Sequence, residues 1–339
     1  MKELPEFIAE NPVAIDLAVE IEHFRLARPF VIARGARTHA SVVTVSLRRG
    51  GVCGRGECVP YARYGESIEG VVAAIAAQRA ALRQGMDRAS LQRAMPAGAA
   101  RNALDCALWD LTAKEAGCRA WEIAGLAAPA PTITAFTLSL GTPEAMAAQA
   151  AHEAARPLLK LKLGGHGDAA RLHAVRAAAP QAELIVDANE SWDEAVLDEN
   201  FAACLACGVT LVEQPLPAGK DGVLADLPRH IRLCADESVH DRHGLASLRR
   251  RYDMINVKLD KTGGLTEALA LIDAARQLGF GIFVGCMVAS SLGIAPAMML
   301  TGAADYVDLD APLLLGEDRV PAMACAQSLL QPPVAALWG

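Results

Sequence analysis

The apolar positions of this chain follow two different rhythms. Near the N-terminus they are β-branched and short. Ser41-Val-Val-Thr-Val-Ser-Leu47 reads as one strand, Arg48-Arg-Gly-Gly51 as a charged turn, and Val52 to Glu57 as the second arm of a hairpin. From Ile68 to about Ala116 the spacing turns helical, with Val71, Val72, Ile75 and Leu82 on one stripe and Leu104, Leu108 and Leu111 on another. The N-terminal third is therefore expected to be α+β. After Pro129-Ala-Pro131, short apolar runs alternate with helix-like stretches. The predicted strands are 132–140, 158–162, 184–187, 210–213, 231–236, 254–258, 281–285 and 306–310. Strands that alternate with helices predict parallel βα units, and eight of them predict a closed barrel.

The residues that end these runs carry the next signal. Lys162, Asp187, Glu213, Asp236, Lys258, Cys286 and Asp308 stand 25, 26, 23, 22, 28 and 22 residues apart. One βα unit is about that long in a barrel of roughly 250 residues. A barrel's chemistry gathers at the C-terminal ends of its strands. Six ionisable residues from six strands are thus expected to face one mouth.

Composition limits what that mouth serves. Of 339 residues, 53% are hydrophobic and only 4% aromatic, so Ala, Leu and Val must build the core. The net charge of −7 argues against a nucleic-acid partner, which needs concentrated Lys and Arg. No run reaches the roughly 18 apolar residues of a membrane-spanning helix, so no membrane partner is expected. Residues 1–11 carry acids and no apolar segment, and do not read as a signal peptide. Nine irregularly spaced cysteines imply no disulfide framework and suit a reducing, cytoplasmic location. Cys204 and Cys207 form a C-x-x-C pair, but no second metal pair accompanies them, and they read as a helix end.

Asp187 closes Leu184-Ile-Val-Asp187, Glu213 closes Leu211-Val-Glu213, and Asp236 lies in Cys234-Ala-Asp-Glu-Ser238. Carboxylates crowded at the ends of apolar strands cannot all stay ionised without a counter-charge. Taken singly, each acid has the alternative reading of a solvated or salt-bridged rim charge. Taken together, on adjacent strands, they suggest one hard divalent cation, and Mg²⁺ suits a few carboxylates with positions left for water or substrate oxygen. In Leu159-Lys-Leu-Lys-Leu163 the two lysines are two apart, so Lys160 and Lys162 share a face. A lone strand-end lysine is ordinarily a solvated charge. Here Lys258 ends the sixth strand, nearly opposite the second, so a substrate held between Lys162 and Lys258 meets an amine on each side. A second ammonium and a dication both lower a lysine pKa from its usual value of about 10.4. One base and one opposed conjugate acid are what inversion at a carbon next to a carboxylate requires.

These stretches resemble the enolase superfamily, muconate-lactonizing-enzyme subgroup, and within it the dipeptide epimerases. The resemblance rests on Lys160-Leu-Lys162, Val186-Asp-Ala-Asn-Glu-Ser-Trp192, Glu213-Gln-Pro-Leu-Pro217, Ala235-Asp-Glu-Ser238, Asn256-Val-Lys-Leu-Asp-Lys-Thr-Gly-Gly264 and Asp308-Leu-Asp310. Gly56-Glu57, Tyr64-Gly-Glu-Ser67 and Ala99-Ala-Arg-Asn-Ala-Leu-Asp-Cys-Ala-Leu-Trp-Asp110 match in the N-terminal third, as does Pro29-Phe-Val-Ile-Ala-Arg34. The resemblance implies an α/β fold, a (β/α)7β-type barrel with an N-terminal α+β capping domain. The expected division is 1–125 capping domain, 126–318 modified barrel, and 319–339 a segment returning to the capping domain. It implies Asp187, Glu213 and Asp236 as ligands of one Mg²⁺ per subunit, with Lys162 and Lys258 as the acid/base pair. Lys160 would tune Lys162 and touch the substrate carboxylate. Asp308 and Asp310 would hold a dipeptide's α-ammonium, and Thr137, Cys286, Met287 and Val288 would add contacts. A capping loop around residues 30–37 would read the second side chain, with Arg34 or Arg37 as the clamp for a glutamate carboxylate.

The activity implied is Mg²⁺-dependent epimerisation of a dipeptide such as L-Ala-D/L-Glu through an enediolate, as in murein peptide recycling. The expected partner is that small molecule, with a homo-oligomer left open. Three alternatives share the fold: an N-acylamino acid racemase, a cycloisomerase and an o-succinylbenzoate synthase. Asp308 and Asp310 count against these, since their substrates offer no ammonium there. A catalytically inactive barrel that only binds is the reading from another class.

Overall fold

The computed structural model describes residues 14–339, and the reading of residues 1–11 lies outside that range. The chain opens with an antiparallel meander, β1 (Asp16–Ile32), β2 (Gly35–Arg49) and β3 (Val52–Cys58). The predicted hairpin is its second half. Its first strand was not anticipated, and β2 begins six residues before Ser41. The stretch taken as a capping loop at 30–37 is the tip of the β1–β2 hairpin, with Phe30 opposite Arg37 and Ile32 opposite Gly35. The signal for β1 lay in Leu17, Val19 and Ile21 alternating with Glu20 and Glu22. Only Leu17 of those three is buried, so that face lacks an uninterrupted apolar row.

The meander packs on helices α1 (Ile68–Ala76) and α2 (Ala99–Ala116). The contact between β3 and α2 is close enough to dictate small residues. A Cβ at Gly54 would lie 2.4 Å from the Ala107 carbonyl oxygen, and one at Gly56 would lie 2.1 Å from that of Ala103. Leu82 does not extend the α1 stripe; it sits on a separate short helix at Arg79–Arg83.

Eight parallel strands follow: β5 (Phe136–Leu138), β6 (Leu158–Lys162), β7 (Glu183–Asp187), β8 (Val209–Glu213), β9 (Arg232–Ala235), β10 (Met254–Val257), β11 (Gly281–Gly285) and β12 (Tyr306–Asp308). The predicted first strand is split. Its beginning, β4 (Thr132–Ile133), pairs instead with a strand at Leu329–Leu330. Residues between β4 and β5 close the ring: Ala135 N donates to Val307 O at 2.8 Å, and Leu309 N donates to Thr134 Oγ1 at 2.8 Å.

Strand periodicity explains why apolar runs end in charge. Side chains two apart share a face, and Leu158, Ile185, Leu211, Cys234, Met254 and Phe283 form one apolar cluster. Two residues further on, the same faces carry Lys160, Asp187, Glu213, Asp236, Asn256 and Gly285. An oily floor therefore supports a charged layer. The final residues return to the N-terminal helices: Trp338 Nε1 donates to Cys106 O at 3.0 Å and Gly339 N to Asp110 Oδ1 at 2.7 Å. All nine cysteines are free thiols, and no described helix is long and apolar enough to cross a membrane.

Candidate active site

One cavity of about 290 Å³ lies at the C-terminal ends of the barrel strands, under the tip of the β1–β2 hairpin. It is lined by Lys160, Lys162 and Lys258, by Asp236, Asp308 and Asp310, and by Thr137, Cys286, Met287 and Val288. Arg34 and Arg37 line it from the hairpin. Asp187 and Glu213 lie just beneath, wholly buried.

Asp187, Glu213 and Asp236 converge, with one oxygen of each within 4.8 Å of the others. Lysines surround them. Lys162 Nζ donates to Asp187 Oδ2 at 2.6 Å and Lys258 Nζ to Asp236 Oδ2 at 2.7 Å. Lys160 Nζ donates to Asp308 Oδ2 at 2.7 Å. It also forms an ion pair with Glu213 Oε2 at 2.7 Å. Three buried carboxylates with converging oxygens make an oxygen-only donor set that fits a hard cation such as Mg²⁺. Such an ion would be held by Asp187, Glu213 and Asp236.

The same charges set the ionisation. Burial disfavours the charged form of Asp187, but Lys162 and then Lys160 outweigh it and hold the carboxyl at about 2. Asp236 is likewise buried, yet Lys258 and Lys261 hold it well below the usual carboxylate range. Glu213 goes the other way, pushed up by burial and by Asp187. Burial favours a neutral Lys258, but Asp236 and Glu213 prevail and push its pKa up. At the far wall, burial and then Asp308 push Asp310 up to about 7, while Asp310 Oδ2 accepts from Thr137 N at 2.7 Å. Asp308 Oδ1 is buried without a partner.

The backbone is strained where the site is built. Asn189, Glu190 and Gln214 have φ of 47°, 67° and 35°, in the left-handed region that non-glycine residues seldom occupy. Asn189 and Glu190 follow Asp187, and Gln214 follows Glu213. Gln214 is a hub: its Oε1 accepts from Asp236 N at 2.9 Å, and its Nε2 donates to Tyr252 Oη at 2.9 Å.

The structure brings every candidate into or against one cavity, and adds residues that the sequence reading left unassigned. Glu237 and Glu190 are the barrel partners of Arg34, which donates to them at 2.7 Å and 3.3 Å. Arg63 pairs with both oxygens of Glu190 at 2.6 Å. Lys261 and Asn256 hold Asp236 and Glu213 from behind.

Residues 144–320 match the family described as Enolase C-terminal domain-like, and residues 14–125 match the Mandelate racemase / muconate lactonizing enzyme N-terminal domain. The L-Ala-D/L-Glu epimerase of Escherichia coli strain K12 is 47% identical over 89% of this chain and 95% of its own length. An N-acetyl-D-glutamate racemase of a Pseudoalteromonas species is 46% identical over 84% of this chain and 91% of its own. A solved enolase family member from Agrobacterium tumefaciens, with homology to dipeptide epimerases and with bound sodium and L-Ala-L-Glu, is 52% identical with a TM-score of 0.94. That match covers 96% of this chain and 100% of the other. A dipeptide epimerase from Enterococcus faecalis, complexed with Mg and L-Leu-L-Tyr, is 27% identical with a TM-score of 0.85, over 94% of this chain and 97% of its own. This chain belongs to the enolase superfamily, with both the N-terminal and the C-terminal domain of its mandelate racemase / muconate lactonizing branch.

Proposed function

We propose that this protein is a dipeptide epimerase that interconverts L-Ala-L-Glu and L-Ala-D-Glu by moving the α-proton of the C-terminal residue. The observation that carries the reading is the placing of two buried lysines and two buried aspartates around one cavity. Lys162 and Lys258 supply the acid/base pair, while Asp308 and Asp310 form an anionic wall fit for an α-ammonium. The likeness to the Escherichia coli epimerase and to the structure holding L-Ala-L-Glu supports the same choice.

In this mechanism Asp308 Oδ1 and Asp310 accept the substrate ammonium and set the register of the peptide. Lys160 draws the substrate carboxylate toward the metal ligands. A bound Mg²⁺ supplies a Lewis acid that offsets the second negative charge gained by that carboxylate. One lysine, as the neutral amine, takes the α-proton and leaves an enediolate; a cation on Asp187, Glu213 and Asp236 would offset the carboxylates that otherwise hold Lys258 as ammonium. The other, as ammonium, returns a proton to the opposite face, which inverts the centre. The hairpin tip lines the cavity beside them. Arg37 or Arg34 donates to the substrate's side-chain carboxylate.

The chain is taken to divide at 1–125, 126–318 and 319–339, and to work in the cytoplasm on peptides from cell-wall turnover. The nine free thiols suit that compartment. A second reading, an N-acylamino acid racemase, is favoured by the 46% identity to the N-acetyl-D-glutamate racemase. Its substrate would face Asp308 and Asp310 with an uncharged amide. The test is a panel of dipeptides and N-acetylglutamate incubated in D₂O with Mg²⁺ and read by mass spectrometry. Deuterium should enter L-Ala-L-Glu and L-Ala-D-Glu. Exchange into N-acetylglutamate alone would hand the function to the second reading.

A further inference from the structure

Each of the three converging carboxylates has one oxygen tied by a donor other than the three lysines that line the cavity. Asn189 N donates to Asp187 Oδ1 at 2.9 Å, Asn256 Nδ2 to Glu213 Oε1 at 2.6 Å, and Lys261 Nζ to Asp236 Oδ1 at 2.5 Å. The other oxygens meet the lysines of the cavity: Asp187 Oδ2 takes Lys162, Asp236 Oδ2 takes Lys258, and Glu213 Oε2 pairs with Lys160 at 2.7 Å.

Lys261 is not free to leave. It is 1% exposed, and its ammonium also donates to Asp236 O at 2.6 Å and Asn256 O at 2.9 Å, so all three N–H groups are spent. Asn256 is fixed by space. A Cβ on Gly285 would come within 2.5 Å of Asn256 Oδ1, so the glycine is what lets the amide lie flat under Glu213. Neither Lys261 nor Asn256 lines the cavity.

We propose that Lys261 and Asn256 are positioning residues that let Asp236 and Glu213 offer one oxygen each, and that this one-oxygen presentation makes the site select Mg²⁺ over Ca²⁺. Mg²⁺ demands a tight octahedron with few carboxylate oxygens. Ca²⁺ takes more oxygens, at longer range, and accepts carboxylates through both. Freeing Asp236 Oδ1 or Glu213 Oε1 therefore favours Ca²⁺. The inference rests on the metal assignment made above.

The experiment measures the dissociation constants of Mg²⁺ and Ca²⁺ by calorimetry, without substrate, on the wild type, Lys261→Met and Asn256→Ala. Folding of each is checked by near-UV circular dichroism. Removing the Lys261 charge favours both dications alike, so the ratio of the two constants is the readout for that variant. The ratio should shift toward Ca²⁺ by about tenfold or more in both variants. For uncharged Asn256→Ala, Mg²⁺ affinity itself should fall about 10- to 100-fold, the usual effect of losing an outer-shell partner. Should Lys261→Met not fold, Asn256→Ala decides alone. An unchanged ratio in a folded variant overturns the inference and leaves the metal assignment standing. A wild type that binds neither ion overturns both.

Discussion

Arg34 Nη2 donates to Glu237 Oε1 at 2.7 Å, which ties the tip of the N-terminal hairpin to the residue next to Asp236. Arg34 also donates to Asn189 O at 2.8 Å and Tyr61 Oη at 3.1 Å, so its fork is largely spent inside the protein. Arg37 lies over the Tyr61 ring, 5.2 Å from its centre, and has no ion pair among the described residues. Of the two arginines, Arg37 is the one free to clamp a substrate carboxylate. Arg37→Ala should lower kcat/KM for L-Ala-L-Glu by about 10- to 100-fold, the worth of a hydrogen bond to a charged group at roughly 1.5–3 kcal/mol. L-Ala-L-Leu should be little affected. Arg34→Ala, which loosens the hairpin tip, should slow both substrates alike. Selectivity lost in Arg34→Ala and kept in Arg37→Ala would reverse the assignment.

Asp310 is expected to give substrate binding a pH dependence. With its pKa pushed up to about 7 by burial and Asp308, the carboxyl is neutral below that point and charged above it. A charged partner holds an ammonium better. KM for a dipeptide should therefore fall as pH rises from about 6 to about 7.5, below the roughly 7.7–8.0 at which an α-amino group loses its own proton. Asp310→Asn should have a higher KM with that slope removed. N-acetylation of the dipeptide should raise KM sharply in the wild type. A slope retained in Asp310→Asn places the titrating group elsewhere.

Metal removal offers a separate check. Chelation with EDTA should abolish turnover and added Mg²⁺ should restore it. Asp236→Asn should stay folded yet lose metal affinity, because a charged ligand becomes a neutral one while the hydrogen bond that its backbone N–H donates to Gln214 Oε1 remains possible. Full activity in EDTA is the contrary result.

Arg319 joins the C-terminal segment to all three strands of the meander. It donates to Glu22 on β1 at 2.5 Å, to Thr44 on β2 at 2.8 Å and to Glu57 on β3 at 2.8 Å. It also reaches Ser290 Oγ at 2.6 Å, just beyond the cavity-lining residues 286–288. Glu57 is fully buried, so Arg319→Met should cost about 3–5 kcal/mol, the usual penalty for stranding one member of a buried pair. Denaturant unfolding measures this. Glu57→Gln in the same chain should recover part of the loss. Equal stability of Arg319→Met and wild type would show the cluster to be without weight.

Much of this architecture was legible because the barrel repeats. Asp187, Glu213 and Asp236 each close an apolar run at nearly constant spacing, and the inward face of such strands cannot carry charge unless it is used. The split at 132–140 was not legible: Ile133 and Phe136 look alike in sequence, and only the partner strand at Leu329–Leu330 separates them. The β1 strand hid because Ile21 faces solvent, at 49% exposure. The proposal of Arg37 over Arg34 as the clamp rests on Glu237, whose proximity to Arg34 is a product of the fold. Lys261 and Asn256 escaped for a similar reason: what they do depends on which oxygen of Asp236 or Glu213 they reach.

The central claim, that Lys162 and Lys258 work from opposite faces of one α-carbon, is tested most directly by solvent exchange with two single variants. Lys162→Ala and Lys258→Ala are each incubated in D₂O with Mg²⁺ and with L-Ala-L-Glu or L-Ala-D-Glu, and followed by NMR for deuterium and for inversion. The account predicts no net epimerisation by either variant. It predicts complementary exchange without inversion, one variant labelling the L,L epimer and the other the L,D epimer. Substantial net epimerisation by both variants would contradict it.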